Sequence, residues 1–205
     1  MEPVYRNFRE DDIPEMAEIM SLTCDVRGYT LTDDQRQMIF ESYLAELLAR
    51  TTYVCIADVD ETIAGYIMGG VIGDETVRDC CRGIADRGPG GSEGDDASLM
   101  IRDLQAIYDT DERMLSMCGE CGFDSELMMY IMRPQMKGIG IGRRLLLDFM
   151  DHLRGRGCRK MFFFTDWFND AHAFMHMGYV QTAFAMVEQG PEGKSYPFYI
   201  FSKDI

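Results

Sequence analysis

Residues 137–146 read Lys-Gly-Ile-Gly-Ile-Gly-Arg-Arg-Leu-Leu, and no other stretch constrains the fold as tightly. An apolar run, 127–132, precedes them. An apolar stripe at Leu145, Leu146, Phe149, Met150 and Leu153 follows at helical spacing. The pattern predicts a strand that passes through a glycine turn directly into a helix N-terminus. Gly138, Gly140 and Gly142 let the backbone turn tightly and approach a ligand where a Cβ would intrude. The first N–H groups of a helix have no intrahelical partner and carry the positive end of its dipole. The turn is therefore a ready anion site, suited to phosphates.

Charge is distributed to match. The 205-residue chain has a net charge of −15, yet residues 131–160 carry +6, residues 1–130 carry −18 and residues 161–205 carry −3. A positive island around the turn fits an anionic ligand, although a solvated basic helix face would look the same. The acidic remainder argues against nucleic acid. It suits a cationic acceptor such as an amine, and solubility accounts for it equally well. Apolar content of 46% predicts one globular domain over residues 1–205. The N-terminal residues lack the basic-then-apolar pattern of a secretory signal. The longest weakly polar run, 63–72, holds three glycines and is too short to span a bilayer. Seven cysteines, an odd number, fit a reducing compartment. The expectation is a cytoplasmic protein without a membrane or nucleic-acid partner, as monomer or homodimer.

Along the chain, 4–8 reads as a strand. Asp12 and Glu15, with Pro14 between them, resemble a capping box leading into a helix with Ile13, Met16, Ile19 and Met20 at helical spacing. Thr32 and Gln35 mark a second helix start, with Ile39, Tyr43, Leu44, Leu47 and Leu48 on its apolar face. Residues 52–59 and 63–72 form a hairpin across Asp60 and Glu61. After the glycine turn and its helix, 160–165 is a strand, 170–177 a short helix stopped by Gly178, and 180–188 with 196–203 a closing hairpin around Gly190 and Pro191. The order is β-α-α-β-β-(insert)-β-α-β-α-β-β, a mixed α/β fold with a partly antiparallel sheet. A dinucleotide fold would need repeated βαβ units, and a P-loop would need Gly-Lys-Ser/Thr; neither is present.

The element order and the 137–142 motif resemble the GNAT superfamily of acetyl-CoA-dependent N-acyltransferases. Its phosphate-binding pattern, Arg/Gln-x-x-Gly-x-Gly/Ala, reads here as Lys137-x-x-Gly140-x-Gly142, with Pro134 before it and the Leu145–Leu146 pair after it. A second register from Gln135 through Gly138 to Gly140 is possible, and the first places proline and leucines as in the family. Asn169, Phe174, Gly178 and Tyr179 resemble the family's short helix ending in Gly-Phe. Only residues 73–122 fall outside the resemblance.

The resemblance implies a GNAT fold whose fourth strand splays from the fifth, and acetyl-CoA as cosubstrate with no metal. Backbone N–H groups from Ile139 to Arg144, with Ile141, Arg143 and Lys137, would hold the pyrophosphate. Pantetheine would pair with the strand backbone at Tyr130, Ile131 and Met132, the Met132 N–H polarising the thioester carbonyl. A primary amine, on a small molecule or a peptide, would attack directly. Glu126, eleven residues before Lys137, stands where many relatives carry a glutamate base; a solvated strand-edge glutamate is the plain alternative. The position of the family's tyrosine acid is Phe174, so Tyr130, Tyr179, Tyr196 and Tyr199 are the candidate replacements. His172 and His176 lie on the opposite helix face and read as surface histidines.

The insertion 73–122 is acidic, with a net charge of −7, and its segment 88–96 predicts a mobile loop. Leu99, Leu104, Ile107 and Tyr108 predict a helix after it. Cys80, Cys81, Cys118 and Cys121 offer four thiols for zinc, but the adjacent first pair lacks the usual two-residue spacing, which favours ordinary reduced thiols. The acceptor pocket would be formed by residues 24–30, the insert and the C-terminal hairpin. Two other functions stay open beside an N-acetyltransferase: a catalytically weak acyl-CoA-binding or sensing module, favoured by Phe174, and an interaction protein with a metal-binding insert.

Overall fold

The computed structural model describes residues 2–24, 28–75, 95–119, 121–167, 169 and 171–205. In chain order its elements are β1 (Val4–Asn7), α1 (Ile13–Thr23), α2 (Asp33–Arg50), β2 (Tyr53–Val59), β3 (Thr62–Val71), α3 (Asp96–Met117), β4 (Ser125–Met132), α4 (Ile141–Gly155), β5 (Lys160–Asp166), α5 (Ala171–His176), β6 (Val180–Gln189) and β7 (Lys194–Asp204). Seven strands make one sheet in the order β1-β2-β3-β4-β5-β7-β6. Every pairing is antiparallel except β4 with β5, which is parallel. The order read from the sequence stands.

Local chemistry explains most boundaries. Thr32 caps α2: its hydroxyl accepts from the Gln35 N–H at 3.2 Å, and the Gln35 side chain accepts the Thr32 N–H at 3.0 Å. Asp60 and Glu61 turn the β2–β3 hairpin with φ of 50° and 62°, the left-handed pair a tight hairpin requires. The capping box expected at Asp12 does not form. Asp12 provides no side-chain cap to α1, because its carboxylate accepts two bonds at 2.8 Å from Arg6 and one at 2.7 Å from the Arg9 N–H. Glu15 turns instead to the Ile63 N–H and to Arg133. A guanidinium and a strand N–H outcompete the helix end for both carboxylates.

Helices cover both faces of the sheet. On one, α1 and α2 bury Met16, Ile19, Met20, Phe40, Leu44 and Leu48 against Ile56, Tyr66, Met68 and Ile131. On the other, α4 and α5 pack Leu145, Phe149 and Leu153 against Ile67, Met161, Phe163 and Phe201. The insertion supplies the 22-residue helix α3 on the first face. Asp95 caps it by accepting the Ser98 N–H, so the last residues of the expected loop open a helix; residues 88–94 lie outside the described residues. The helix belongs to two cores at once. Ala97 and Met100 join the cluster of α1, α2 and β2–β4, while Met114 and Cys118 join Phe162, Val187, Phe198 and Ile200 of β5–β7. It therefore straddles the boundary between β4 and β5.

Asp103 secures this arrangement. It is buried on α3, and its Oδ2 accepts from the Tyr29 hydroxyl and from the Gly190 N–H, both at 2.6 Å. One carboxylate thus ties the α1–α2 connection, the inserted helix and the β6–β7 turn, the three segments expected around the acceptor. Asp103→Ala leaves a part-buried hydroxyl and a part-buried backbone N–H without their acceptor, a loss of roughly 2–4 kcal/mol. The expected result is a melting temperature lower by roughly 5–15 °C for a chain of this size. An unchanged melting temperature in calorimetry would show that these bonds hold nothing together.

Candidate active site

β4 pairs with β3 along its whole length but with β5 only through Ser125 with Met161 and Glu126 with Phe162. Beyond that point the two strands part. The β3–β4 register passes from Met68 opposite Met129 to Gly69 opposite Leu127, which leaves Met128 as an extra residue, a β-bulge. Past the bulge the backbone is again regular. The Arg133 N–H donates to the Ala64 carbonyl at 2.8 Å. Peptide groups alternate between the edges of a strand, so the Met132 and Tyr130 N–H groups point away from β3, into the gap beside β5. Side chains of Ile131 and Met132 are buried on opposite faces, which leaves only their backbone for a ligand.

The glycine turn stands at the mouth of this gap, on the α4 face. Gly138 and Gly140 have φ of 86° and 90°, where a side chain would be strained. Gly142 is helical, and a Cβ there would lie 2.5 Å from the Tyr130 hydroxyl, so a side chain would have to displace the outer end of that ring. Gly140 is the N-cap of α4, and its carbonyl accepts the Arg144 N–H at 3.1 Å. Arg144 is thus the first intrahelical donor, so the expected cradle ends at Arg143. The N–H groups of Ile141, Gly142 and Arg143 are the ones that have no helical acceptor. The Ile141 side chain is core and Ile139 is exposed.

The basic island is partly engaged in structure. Arg133 bridges Glu15 and Glu18 and donates to the Ile63 carbonyl. Arg144 pairs with Asp148 at 2.9 Å and lies over the Tyr5 ring. Lys137 and Arg143 are exposed and form no ion pair among the described residues.

Carboxylates gather on the other face. Glu126 is partly buried, and burial raises its pKa above the ordinary glutamate value, opposed by Arg50 of α2. A cleft of about 240 Å³ reaches it, lined also by Arg50, Thr52, Gly70 and Met128. Asp111 of α3 lies within electrostatic reach of Glu126 and of Asp166, the last residue of β5. Burial pushes Asp111 up to about 7, the charges of Glu126 and Asp166 adding to the rise and Arg50 opposing it. Cys24, after α1, is pushed up to about 12 by burial and by Asp166. Asp111 is not among the residues that the sequence reading singles out, although it carries a signal: it interrupts the apolar stripe Met100, Leu104, Ile107, Met114, Cys118.

A gap opened inside a sheet, with a glycine-capped helix at its mouth, now meets its comparisons. The model of the Acetyltransferase (GNAT) family matches residues 15–179. The chain belongs to the GNAT family. A search of curated protein sequences returns no match. Among solved structures the fold resembles a mosquito arylalkylamine N-acetyltransferase-like 5b, at 16% identity, TM-score 0.57 and full coverage of both chains. It also resembles the ribosomal-protein-S18-alanine N-acetyltransferase of Escherichia coli, at 12% identity and TM-score 0.57 over 100% of this chain and 94% of that one. A third is the PaiA N-acetyltransferase of Thermoplasma acidophilum in complex with coenzyme A, at 13% identity, TM-score 0.52 and full coverage of both chains.

Phe174 and Asn169 both have structural partners in this GNAT chain. Phe174 of α5 is packed in an aromatic cluster, its ring 4.9 Å from Phe163 and 5.4 Å from Phe201 between centroids, and Tyr179 lies 5.2 Å from Phe163. It serves the core. Of the four candidate tyrosines, Tyr196 stacks on Trp167 and Tyr199 neighbours Phe184, whereas the Tyr130 phenol adds to the burial that raises the pKa of Tyr179. Tyr130 is 42% exposed and Tyr179 only 8%. Asn169 closes the end of β5, its side chain donating to Asp166 at 3.0 Å.

Of the four cysteines considered for zinc, Cys80 and Cys81 lie outside the described residues. Cys118 is buried and adjoins Cys121 after α3, and no cluster of metal-ligating side chains occurs among the described residues. No described helix is long and apolar enough to cross a membrane.

Gly140→Ala forces a side chain into left-handed backbone at a cost of about 1–2 kcal/mol and deforms the cradle. Acetyl-CoA at 100 times its dissociation constant stabilises a protein by about 2.7 kcal/mol. A tenfold loss of affinity in the variant removes about 1.4 kcal/mol of that. The expected outcome is a clearly smaller acetyl-CoA-induced rise in melting temperature. An undiminished rise would mean that the turn does not hold the ligand.

Proposed function

We propose that this GNAT protein transfers the acetyl group of acetyl-CoA to the primary amine of an acceptor by direct attack. The observation that carries the reading is the parting of β4 from β5, with free backbone donors on one side and carboxylates on the other. Fit to coenzyme A is supported by the Gly138–Gly140 backbone, the orphan N–H groups of Ile141, Gly142 and Arg143, and the absence of a Cβ at Gly142. Lys137 and Arg143 add positive charge there. When bound, acetyl-CoA supplies an activated thioester.

The residues divide the work. Tyr130 and Met132 both turn their N–H groups to the gap. Glu126 is four residues from Tyr130 and six from Met132, about 13 Å and 20 Å at roughly 3.3 Å per residue. A base and an oxyanion donor must serve one centre, so we assign the carbonyl-polarising N–H to Tyr130 and leave Met132 to pair with the pantetheine chain. Glu126 receives the amine's proton through water, its raised pKa bringing it closer to that task. The Tyr130 phenol, the exposed one of the pair beside the gap, protonates the departing thiolate in place of the residue lost at Phe174. A thiolate leaves tolerably even without help, since thiol pKa values lie near 8.5. Positioning supplies most of the rate. The reaction takes place wherever acetyl-CoA and the amine are both present, and a cytoplasmic setting fits.

Thiol release from acetyl-CoA over a panel of polyamines, arylalkylamines, amino acids and peptides tests the reading, and no release above hydrolysis with any amine would overturn it. Glu126 has its own test. A base acts deprotonated, and its folded pKa is raised, so kcat/KM should climb with pH through that pKa. Glu126→Gln is expected to lose about a hundredfold in kcat/KM and this dependence with it. Full turnover in the variant at neutral pH would remove Glu126 from the mechanism.

A further inference from the structure

The sheet has two edges, and their sequences differ in kind. β1, at one edge, is four residues long, and its Arg6 is held in ion pairs by Asp12 and Asp58. A short, charged edge is protected against pairing with another strand. β6, at the other edge, is ten residues long and reads Val-Gln-Thr-Ala-Phe-Ala-Met-Val-Glu-Gln. It contains no proline or lysine, and Glu188 is its one charge in a chain of net charge −15. The register with β7 shifts between Gln181 and Ala183, which leaves a regular segment from Ala183 to Gln189.

The outer side of that segment is bare backbone. Opposite Met186 stands Pro197 of β7, which has no N–H. Proline sits in a paired strand where its nitrogen faces no acceptor. β5 ends at Asp166, opposite Phe198, so Pro197 turns toward the space past that end. By the alternation of an antiparallel ladder, the peptide groups of Phe184, Met186 and Glu188 then point away from β7. Among the described residues no strand pairs with them there, and no further backbone bond reaches them. Side chains alternate as well. Ala183, Ala185 and Val187 join the core cluster under α3. Phe184 and Met186 turn to the opposite face, where they are 55% and 52% exposed, Phe184 beside the Tyr199 ring at 6.0 Å. α3 flanks the strand and leaves a groove of about 660 Å³, lined by Ala106 and Arg113 on one side and by Met186 and Glu188 on the other.

We propose that two copies of this chain associate through β6, edge to edge and antiparallel, about a two-fold axis that passes by Ala185. Charge favours this occupant. Two chains at −15 repel each other over most of their surfaces, and least along a strip that carries one carboxylate. The strand is also complementary to itself. On one face Phe184 meets Met186 of the second copy, and Met186 meets its Phe184. On the other, Ala185 meets Ala185, a small side chain at the point of closest approach. Glu188 falls opposite Thr182 of the second copy, away from its own counterpart. Across the seam the outward N–H and C=O groups of Phe184 and Met186 bond each other, and the two seven-stranded sheets become continuous.

The interface stands apart from the acetyl-transfer reading. β7 and β5 lie between β6 and the gap beside β4, so association does not require acetyl-CoA. Symmetry closes it at two copies, because each chain offers one such edge and β1 is short and charged.

The test compares the full-length protein with three single variants. Sedimentation velocity over a dilution series should find the parent at twice the chain mass, dissociating as it is diluted. Phe184→Lys puts a like-charged pair at the seam, and Met186→Pro removes an outward N–H without taking a bond from the β6–β7 ladder. Each should weaken association by about tenfold or more while keeping the far-ultraviolet circular dichroism of the parent. Where one of them does not fold, the other decides. Ala185→Cys gives a separate readout. Facing its own copy at about 4.5 Å between Cα atoms, within disulfide range, it should be cross-linked by oxidised glutathione to a covalent dimer, well above the level seen in the parent. A parent that stays at the chain mass at every dilution overturns the proposal. So does a dimer that survives the substitutions at 184 and 186, a dimer that Ala185→Cys does not cross-link, or an assembly that grows beyond two copies.

Discussion

Everything in this molecule depends on the place where β4 lets go of β5. Unpaired backbone in the middle of a sheet is expensive, and proteins rarely leave it so. Here the extra residue Met128 bends β4 after only two paired positions with β5, and the strand stays bonded to β3. The two half-sheets are then held together from outside. On one face α4 and α5 form a common core with strands of both halves, through Leu145, Phe149, Ile67, Met161 and Phe163. On the other, α3 gives its N-terminal half to one cluster and its C-terminal half to the other. The insertion therefore helps to stabilise the opening, as well as forming a wall of it.

Much of this is legible in the sequence because the signals are local. The glycine turn, the leucine stripe of α4, the Thr32–Gln35 cap and the Asp60–Glu61 hairpin are each decided within a few residues. What the sequence hides depends on distant partners. Asp12 and Glu15 look like a helix cap until Arg6, Ile63 and Arg133 arrive to claim them. Arg133 and Arg144 count as part of a positive island, yet each has a carboxylate of its own. Asp103 and Asp111 are ordinary acidic residues in an acidic segment until the helix is folded onto the sheet. Phe174 reads as a lost acid, and it is also a gained packing element, seated among Phe163, Tyr179 and Phe201.

Helix dipole and backbone matter more at the anion site than the count of basic residues implies. With Arg133 and Arg144 engaged, the coenzyme A site proposed here would rely on the N–H groups of Ile141, Gly142 and Arg143, and on Lys137 and Arg143 for net charge. Such donors are fixed before the ligand arrives and lose no side-chain entropy on binding it. A site of this kind tolerates replacement of the family's usual arginine or glutamine by lysine, because the backbone does most of the recognition.

The sheet also separates the charges that the reaction must keep apart. On the proposed reading, a polyanionic donor binds on the α4 face and the acceptor comes to the α1–α3 face, where Glu126 and Asp111 lie within electrostatic reach of each other. Were both on one face, they would attract each other across solvent and meet in unproductive pairs. With the sheet between them, the route from one to the other is the gap beside Tyr130, at a few ångströms and in one orientation. The net charge of −15 and its local reversal to +6 are then two halves of one device. The charge of Arg50 opposes the rise at both Glu126 and Asp111, so that face is less acidic than its carboxylates alone would make it.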